Sequence, residues 1–357
     1  MTTIGIPKET KQGERRIALT PSAVEMIVGP SVIVNVEDGA GEGAGFSNED
    51  YYNAGATIVD DAWHMSDIIV KVKEPQRREL DKIKRSHTIF GYFHFASNIE
   101  LTRAMLHTRA TAFAYETLEH GGRLPLLDPM SDIAGRVCLQ RGAMFYPALF
   151  GGVAGTPRTN VLVVGAGVVG TAAANMARSM GASVTVADID IKKLYQFESQ
   201  GFDTVLLPDG KVRSLVGFNV LVGAVHIPGR KTPHIASREV VQQLGKNGLV
   251  IDVSIDQGGC LPDSRPTSHG EPTYKVDDVT YYCVANLPGA VPMTSSVALS
   301  NASVKFVKEL AERPAAFAHK YESAHAMSNK VIIDTRIVQT FPELKSEFEY
   351  IKKYKGL

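Results

Sequence analysis

Short apolar runs alternate with amphipathic stretches through the first third of the chain. The runs with the length and the β-branched or aromatic content of strands are TIGIP, SVIVNV, ATIVD, IIVKVK, TIFGYFH and TAFAYE. Helices are predicted for SNEDYYNAGA, which begins with a capping serine, and for NIELTRAMLHTR. This alternation predicts βαβ units, and therefore a mostly parallel sheet with helices on both faces.

A second series of the same kind follows a break in this pattern. The break consists of one long predicted helix, SDIAGRVCLQRGAMFYPALFGG, and a loop, VAGTPRTN. The predicted strands of the second series are NVLVVG, SVTVAD, FNVLVGAV and NGLVIDVSI. From about residue 295, TSSVALSNASVKFVKELAE predicts another long helix, and the rest, HAMSNKVIIDTRIVQTFPELKSEFEYIKKYKGL, predicts helical segments on the surface.

The two series predict two α/β domains. We expect two Rossmann-like, doubly wound domains with a cleft between them, linked by the two long helices. The first domain comprises residues 1–130 and 296–357 and is discontinuous, because the second, residues 131–295, is inserted into it. The cleft is the expected ligand site.

The amino-acid composition indicates which kinds of partner the protein is not expected to bind. The 357 residues are 44% hydrophobic and carry 38 basic and 38 acidic side chains, so the net charge is zero. This balance argues against a nucleic-acid or anionic-membrane partner. The start, MTTIGIPKET, lacks an apolar signal core, and the 3 cysteines and 10 scattered histidines show no metal-type spacing. We expect a cytoplasmic protein without a metal site.

The strongest motif is VLVVGAGVVGTAAANMARSMGASVTVADID, in which a strand, a glycine loop, a helix and a second strand follow in order. Gly165 suits the tight turn, Gly167 lets the backbone approach a pyrophosphate at the helix N-terminus, and Gly170 allows close packing of helix on strand. The predicted cofactor-binding residues of this loop are Gly165, Gly167, Val168, Val169 and Gly170. The motif predicts a dinucleotide site.

An acid ends the second strand of this motif. Asp188 lies where a carboxylate would accept a hydrogen bond from a ribose 2′-hydroxyl, and it would repel a 2′-phosphate. We therefore expect NAD as the cofactor, although Asp190 could share or replace this role.

Two lysines end the predicted strand IIVKVKEP. Lys71 and Lys73 share one face of a strand, and Pro75 cannot continue the ladder. They therefore lie at the carboxyl end, where open α/β sheets bind ligands.

Several long and uncommon segments occur between about residues 3 and 312: GIPKETKQGERRIALTP, GAGEGAGFSNEDY, KVKEP, FGYFHFA, AYET, PLLDPMSDIAGR, GAGVVG, IDVSIDQGG and CVANLPGAVPMTSS. With these segments the chain resembles the alanine dehydrogenase family, which shares ancestry with the NAD-binding subunit of proton-translocating transhydrogenase. The resemblance implies that the first domain binds substrate and the second binds NAD. It also implies a homo-oligomer, commonly a hexamer.

The resemblance also implies roles for seven residues. They are Arg16, which grips the substrate carboxylate; Lys73, which hydrogen-bonds the substrate; His94, the catalytic histidine; Asp256, near the nicotinamide; Met130, in the substrate pocket; Ser131, on the cofactor; and Asn286, beside substrate and nicotinamide. Arg15 remains a competitor of Arg16, and Lys71 either supports Lys73 or faces solvent.

The implied reaction is the reversible oxidative deamination of L-alanine to pyruvate and ammonium. An arginine fork suits a carboxylate, a lysine polarises a carbonyl, and a histidine moves protons near neutral pH. Asp256 would balance charge or relay protons, or it could be only a turn cap. Alternatives are an enzyme for another amino acid or for an opine- or saccharopine-type secondary amine, and a non-catalytic transhydrogenase-like subunit.

Four positions depart from the family pattern and leave the substrate side chain open. They are Leu287 for a usual methionine, Tyr92 for a common phenylalanine, His226 for an apolar residue, and Met293 for a basic residue. The sequence after about residue 320 also matches poorly. A methyl-scale change in a pocket is worth only about 1–3 kcal/mol, so these differences do not decide the substrate.

Overall fold

A computed structural model describes residues 1–225 and 232–348. The chain divides into two compact units, unit 1 (Met1–Met130 with Val291–Leu357) and unit 2 (Ser131–Ala290). The second boundary lies at residue 291, five residues before the predicted one, because the helix Pro292–Glu312 belongs wholly to unit 1.

The strands are β1 Thr2–Ile6, β2 Val32–Glu37, β3 Thr57–Val59, β4 Ile68–Val70, β5 Thr88–Gly91, β6 Thr111–Ala114, β7 Asn160–Val164, β8 Ser183–Asp188, β9 Asp203–Leu206, β10 Val220–Gly223, β11 Leu249–Asp252, β12 Thr273–Val276, β13 Val279–Tyr282, β14 His325–Ser328 and β15 Val331–Ile332. The α-helices are α1 Pro21–Ile27, α2 Asn48–Asn53, α3 Arg77–Leu80, α4 Ile99–Thr108, α5 Asp128–Gly142, α6 Val168–Ser179, α7 Ile191–Glu198, α8 Arg238–Gln242, α9 Pro292–Glu312, α10 Pro314–Lys320 and α11 Thr335–Thr340. Among the described residues, none of these helices is both long and apolar enough to cross a membrane.

The sheet of unit 1 is doubly wound. Its parallel strands have the order β3-β2-β1-β4-β5-β6, so the chain reverses direction across the sheet between β1 and β4. The apolar residues of β1, β4 and β5, such as Ile4, Ile69 and Phe90, are fully buried. In such sheets the segments that follow the first and fourth strands diverge and leave a crevice at their carboxyl ends.

The sheet of unit 2 repeats this order. Its parallel strands run β9-β8-β7-β10-β11-β13, with the reversal between β7 and β10. Strand β12 adds to β13 in antiparallel orientation. Leu162, Leu221 and Val250 from the central strands form the middle of the core on one face of this sheet. The prediction of two doubly wound α/β domains is therefore confirmed.

Three elements begin or end differently from the prediction. Strand β4 ends at Val70, so IIVKVK is only half strand, and the strand in TIFGYFH ends at Gly91. The long helix predicted from Ser131 begins at Asp128 and ends at Gly142. A 3-10 turn, Ala143–Phe145, follows it, and helical backbone stops at Tyr146, which precedes a proline and is extended.

The prediction of surface helices after residue 324 is wrong for residues 325–332, whereas Thr335–Thr340 is helical and residues 349–357 lie outside the described residues. His325–Ser328 and Val331–Ile332 form a β-hairpin that extends the sheet of unit 1 beside β6. Its turn residues Asn329 and Lys330 both have positive φ, as two-residue hairpin turns require. Met327 and Ile332 are buried in the core, which gives this segment a structural role. Three strands of unit 2 were also not predicted, because they are short and partly polar: β9, and β12 and β13, which pair with each other.

Candidate active site

Arg16 lies in the long segment between β1 and α1. Its side chain is buried, whereas Arg15 is exposed. The guanidinium donates from Nε and Nη2 to the two carboxylate oxygens of Glu14, at 2.7 and 2.5 Å. Its Nη1 lies 3.3 Å from Sδ of Met130. The two predicted substrate residues Arg16 and Met130 are thus in contact, and Glu14 fixes the plane of the guanidinium.

This pairing keeps Arg16 charged in a buried position. Burial by itself would lower the pKa of Arg16, but the hydrogen bonds and charge of Glu14 raise that pKa above its ordinary value. A planar cation oriented by one carboxylate is suited to bind a second carboxylate from a ligand.

The two lysines after β4 have different environments. Lys71 is fully buried, with its Nζ 3.2 Å from Glu9 and 2.8 Å from Glu79. The alternative in which Lys71 faces solvent is therefore wrong. Lys73 is half-buried, and its backbone N–H points to the Glu9 carboxylate at 3.4 Å.

His94 lies just beyond β5, and not in the strand as predicted. Its backbone is left-handed, with φ of 52°, and its N–H donates to Glu116 at 2.6 Å. The ring is exposed and stacks on Tyr92, with 6.1 Å between centroids and 8° between planes. A non-glycine residue held in this conformation is strained, which is typical of functional positions.

Tyr92, one of the departures, is buried and donates its hydroxyl to the carbonyl of Leu126 at 2.5 Å. Burial raises the pKa of Tyr92 above its ordinary value, so the phenol stays neutral. Tyr92 therefore acts as a rigid platform under His94.

The glycine loop of unit 2 follows β7, and its three glycines have different surroundings. A Cβ on Gly165, whose φ is 107°, would lie 2.4 Å from the carbonyl oxygen of Ala224. A Cβ on Gly170 would lie 1.7 Å from the carbonyl oxygen of Gly165. A Cβ on Gly167 would have no atom of the described chain within 4 Å. Gly165 and Gly170 are thus required by packing, whereas Gly167 leaves open space at the start of α6.

The helix α6 begins at Val168, directly after this loop. Val168 is exposed and Val169 half-buried, so the backbone at the N-terminus of α6 is accessible. Ser131, the remaining predicted cofactor residue, is half-buried in α5. Backbone N–H groups at such an N-terminus bind phosphates.

Asp188 and Asp190 have distinct contacts. Asp188 is 9% exposed, and its carboxylate accepts the N–H of Ala166 at 2.5 Å and that of Asp190 at 2.8 Å. Asp190 caps helix α7 by accepting the N–H of Lys192. The carboxylate of Asp188 therefore touches the glycine loop, whereas that of Asp190 serves a helix.

Asp256 lies in a short 3-10 turn after β11. Its exposed carboxylate is 3.4 Å from the backbone N of Asn286, so these two predicted residues are neighbours. Asp252, which was not predicted, holds this region: its buried carboxylate accepts the N–H groups of Ser254 and Cys260 and the hydroxyl of Ser264. The sequence signal that could have identified Asp252 is its position as the acid at the end of an otherwise apolar strand, β11.

The predicted residues thus divide between the two units, and all of them except Met130 and Ser131, which lie in α5, are at or beyond the carboxyl ends of parallel strands. Unit 1 contains Arg16, Lys73, His94 and Met130, and unit 2 contains Ser131, the glycine loop, Asp188, Asp256 and Asn286. Sequence reasoning missed three acids of unit 1 that orient the predicted residues, namely Glu9, Glu14 and Glu116.

The three other residues that depart from the family pattern lie in separate parts of the chain. Leu287 is buried in unit 2, and Met293 is exposed in unit 1 near Gly45. His226 lies outside the described residues. In the part of the chain that the structure describes, histidines, cysteines and acids form no group that could hold a metal ion.

Comparison with known proteins relates both units to one family. The domain models described as "Alanine dehydrogenase/PNT, N-terminal domain" and "Alanine dehydrogenase/PNT, C-terminal domain" match residues 5–134 and 131–339. The chain is 43% identical to alanine dehydrogenase from Halomonas elongata over 87% of this chain and 88% of that protein. It is 40% identical to alanine dehydrogenase from Bacillus subtilis over 87% of this chain and 86% of that protein.

Two solved structures match this chain over most of its length. An L-alanine dehydrogenase structure matches with a TM-score of 0.89 and 37% identity, covering 96% of this chain and 99% of that chain. A transhydrogenase from Sinorhizobium meliloti matches with a TM-score of 0.83 and 22% identity, covering 92% and 99%, which shows a shared fold.

Proposed function

The chain belongs to the alanine dehydrogenase/PNT family, and on that premise we propose that it is an NAD-dependent alanine dehydrogenase. The reaction is the oxidative deamination of L-alanine to pyruvate and ammonium, and its reverse. The likeness of both units to curated alanine dehydrogenases carries this proposal.

Unit 1 binds the amino acid. Arg16 receives the substrate carboxylate on the guanidinium plane that Glu14 orients, and Met130 lies against the same guanidinium. Lys73 donates a hydrogen bond to the substrate and polarises the carbonyl in the reverse direction. Arg16 is preferred to Arg15 because only Arg16 is buried and held by a carboxylate.

His94 moves the protons. Water must add to the imine formed from the substrate, and ammonia must then leave, so a group that both gives and takes protons near neutral pH is needed. The imidazole of His94 is exposed, stacked on Tyr92 and fixed through its backbone by Glu116.

Unit 2 binds NAD, which accepts the hydride from the substrate when it is bound. The residues present fit this cofactor: Gly167 leaves room for a pyrophosphate at the N-terminus of α6, and Asp188 accepts ribose hydroxyls. Val168, Val169, Gly165 and Gly170 complete the loop, and Ser131 contacts the cofactor. Asp188 takes this role and not Asp190, whose carboxylate caps α7.

Asp256 and Asn286 act beside the nicotinamide. Their contact places the carboxylate of Asp256 against the backbone N–H of Asn286 in unit 2. The carboxylate balances the positive charge that the reaction needs from lysine and imidazolium, or passes a proton.

We also propose that the enzyme is a cytoplasmic homo-oligomer, a hexamer by family resemblance. Its partners are the small amino acid, the 2-oxo acid and ammonium.

The test is the appearance of NADH absorbance with NAD and a panel of L-amino acids, and its loss with 2-oxo acids and ammonium. Turnover that is fastest with alanine and with pyruvate is expected. Faster turnover with a bulkier or secondary amine would assign a different substrate, consistent with Leu287 and Tyr92. Binding of NAD without turnover of any amine would contradict the proposal and favour a transhydrogenase-like subunit.

A further inference from the structure

A buried cluster of three charges lies beside the end of β4 in unit 1, and the proposed mechanism does not use it. This is the Glu9–Lys71–Glu79 cluster. The side chains of Glu9, Lys71 and Glu79 are 3%, 0% and 4% exposed. Nζ of Lys71 lies 3.2 Å from Oε2 of Glu9 and 2.8 Å from Oε1 of Glu79.

Both carboxylates also hold the main chain that follows the strand. Glu9 accepts the N–H of Val72 at 2.6 Å and faces the N–H of Lys73 at 3.4 Å. Glu79 accepts the N–H of Gln76 at 2.7 Å through its other oxygen. The segment 72–76 is therefore fixed at both ends by acids that share one lysine.

A buried cluster of three charges contributes little net free energy to folding. Removing three charges from water is costly, and apolar residues of similar size are often at least as stabilising as a buried ion pair. Burial raises the pKa of Glu9 even though the ammonium of Lys71 opposes the rise. The cluster instead orients the main chain, because hydrogen-bonded charges fix the geometry of the backbone that they contact.

We propose that the Glu9–Lys71–Glu79 cluster positions Lys73 for the reaction. Lys73 lies within the fixed segment, between the two points where the acids bind the backbone. Loss of either acid would allow this segment to shift, and a shift of about 1 Å in a substrate-binding group can reduce a rate about 100-fold. This inference rests on the proposed function, in which Lys73 hydrogen-bonds the substrate.

The test is a double-mutant cycle between Glu79→Gln and Lys73→Ala, read as the dissociation constant of pyruvate in the presence of NADH. Glu79→Gln keeps the size of the side chain and removes its charge. With Lys73 present, it should weaken pyruvate binding about 10-fold or more and lower kcat for alanine about 10- to 100-fold. With Lys73→Ala, the same substitution should change pyruvate binding less than about twofold. The affinity for NAD should be unchanged in all variants.

Lys320→Met is the matched control. Lys320 is also 2.8 Å from a carboxylate, that of Glu309, but this pair is 51% and 30% exposed. Its loss should leave pyruvate binding and kcat unchanged.

Amide hydrogen exchange supplies a readout that does not depend on activity. Exchange of residues 72–76 should be faster in Glu79→Gln than in the unmodified chain and unchanged in Lys320→Met. If Glu79→Gln does not fold, Lys71→Arg takes its place in the cycle, because it keeps the charge but alters the geometry.

An equal loss of pyruvate affinity with and without Lys73, or no loss in either, would overturn the positioning role. An unmodified chain that neither binds pyruvate nor oxidises alanine would instead refute the proposed function, and the positioning role with it.

Discussion

The two units have the same strand order but different segments after their first strands. In unit 2, β7 leads through the three residues Gly165–Gly167 directly into α6, which leaves accessible backbone at a helix N-terminus. In unit 1, β1 is followed by a longer segment that brings Glu9, Glu14 and Arg16 into buried ion pairs before α1 begins. The same topology thus presents N–H groups in one unit and a paired cation in the other. Strand order determines where a ligand can bind, and the segment after the first strand decides which ligand.

The largest expected effect separates the chemistry from cofactor binding. His94→Ala should lower kcat for alanine about 10²- to 10⁴-fold, because proton transfer loses its catalyst. The affinity of unit 2 for NAD, measured by calorimetry, should not change. His107→Ala is the matched control, since His107 is an exposed histidine on α4 of the same unit. Undiminished turnover in His94→Ala would remove His94 from the mechanism.

The second-largest expected effect concerns Arg16, the paired cation of unit 1. Arg16→Lys should raise the KM for alanine about 10- to 100-fold, because lysine cannot bind a carboxylate through two parallel hydrogen bonds and a charged hydrogen bond is worth about 1.5–3 kcal/mol. Arg15→Lys, at the adjacent exposed position, should leave this KM unchanged. The reverse result, measured by steady-state kinetics, would show that Arg15 binds the carboxylate.

A pair of alanine substitutions tests the accessible backbone of unit 2. Gly167→Ala places a methyl group in open space, so it should leave Tm unchanged but weaken NAD binding about tenfold. Gly170→Ala forces a methyl group against the carbonyl of Gly165, so it should destabilise unit 2 by about 1–3 kcal/mol. Calorimetric Tm and NAD titration separate the two effects. Unchanged NAD affinity in Gly167→Ala would mean that the pyrophosphate lies elsewhere.

The smallest effect concerns the antiparallel strands that each unit adds at one edge of its sheet. In unit 1, His325 on β14 stacks on Phe113, and its Nε2 has no hydrogen-bond partner among the described residues. Burial lowers the pKa of His325 to about 4.

Because the unfolded chain then binds more protons than the folded one, this residue makes stability fall as pH drops below about 6.5. We expect a loss of about 1 kcal/mol at pH 6, and His325→Phe should abolish that part of the pH dependence. Denaturant melts of both proteins at pH 7.5 and pH 6 provide the measurement. Identical pH dependence in the two would contradict the assignment.

Local patterns in the sequence determined a large part of this protein. Continuous apolar strands, the order of helices between them and the glycine spacing at 165–170 predicted both doubly wound units, because period, length and backbone freedom are local properties. Rare segments such as ERRIALTP were enough to predict the family. The C-terminal hairpin escaped because Asn329-Lys330 is a weak turn signal, and pairing with β6 decides its conformation.

Only the tertiary structure decided which charges are paired. Sequence places Arg15 beside Arg16 and Lys71 near Lys73 without distinguishing their surroundings. The fold buries Arg16 against Glu14, and Lys71 between Glu9 and Glu79, which lie up to 62 residues away along the chain. The physical reason is that the strength of an ion pair depends on distance and burial. The distance between Lys71 and Glu9 and the burial of all these side chains arise only when segments distant in sequence pack together.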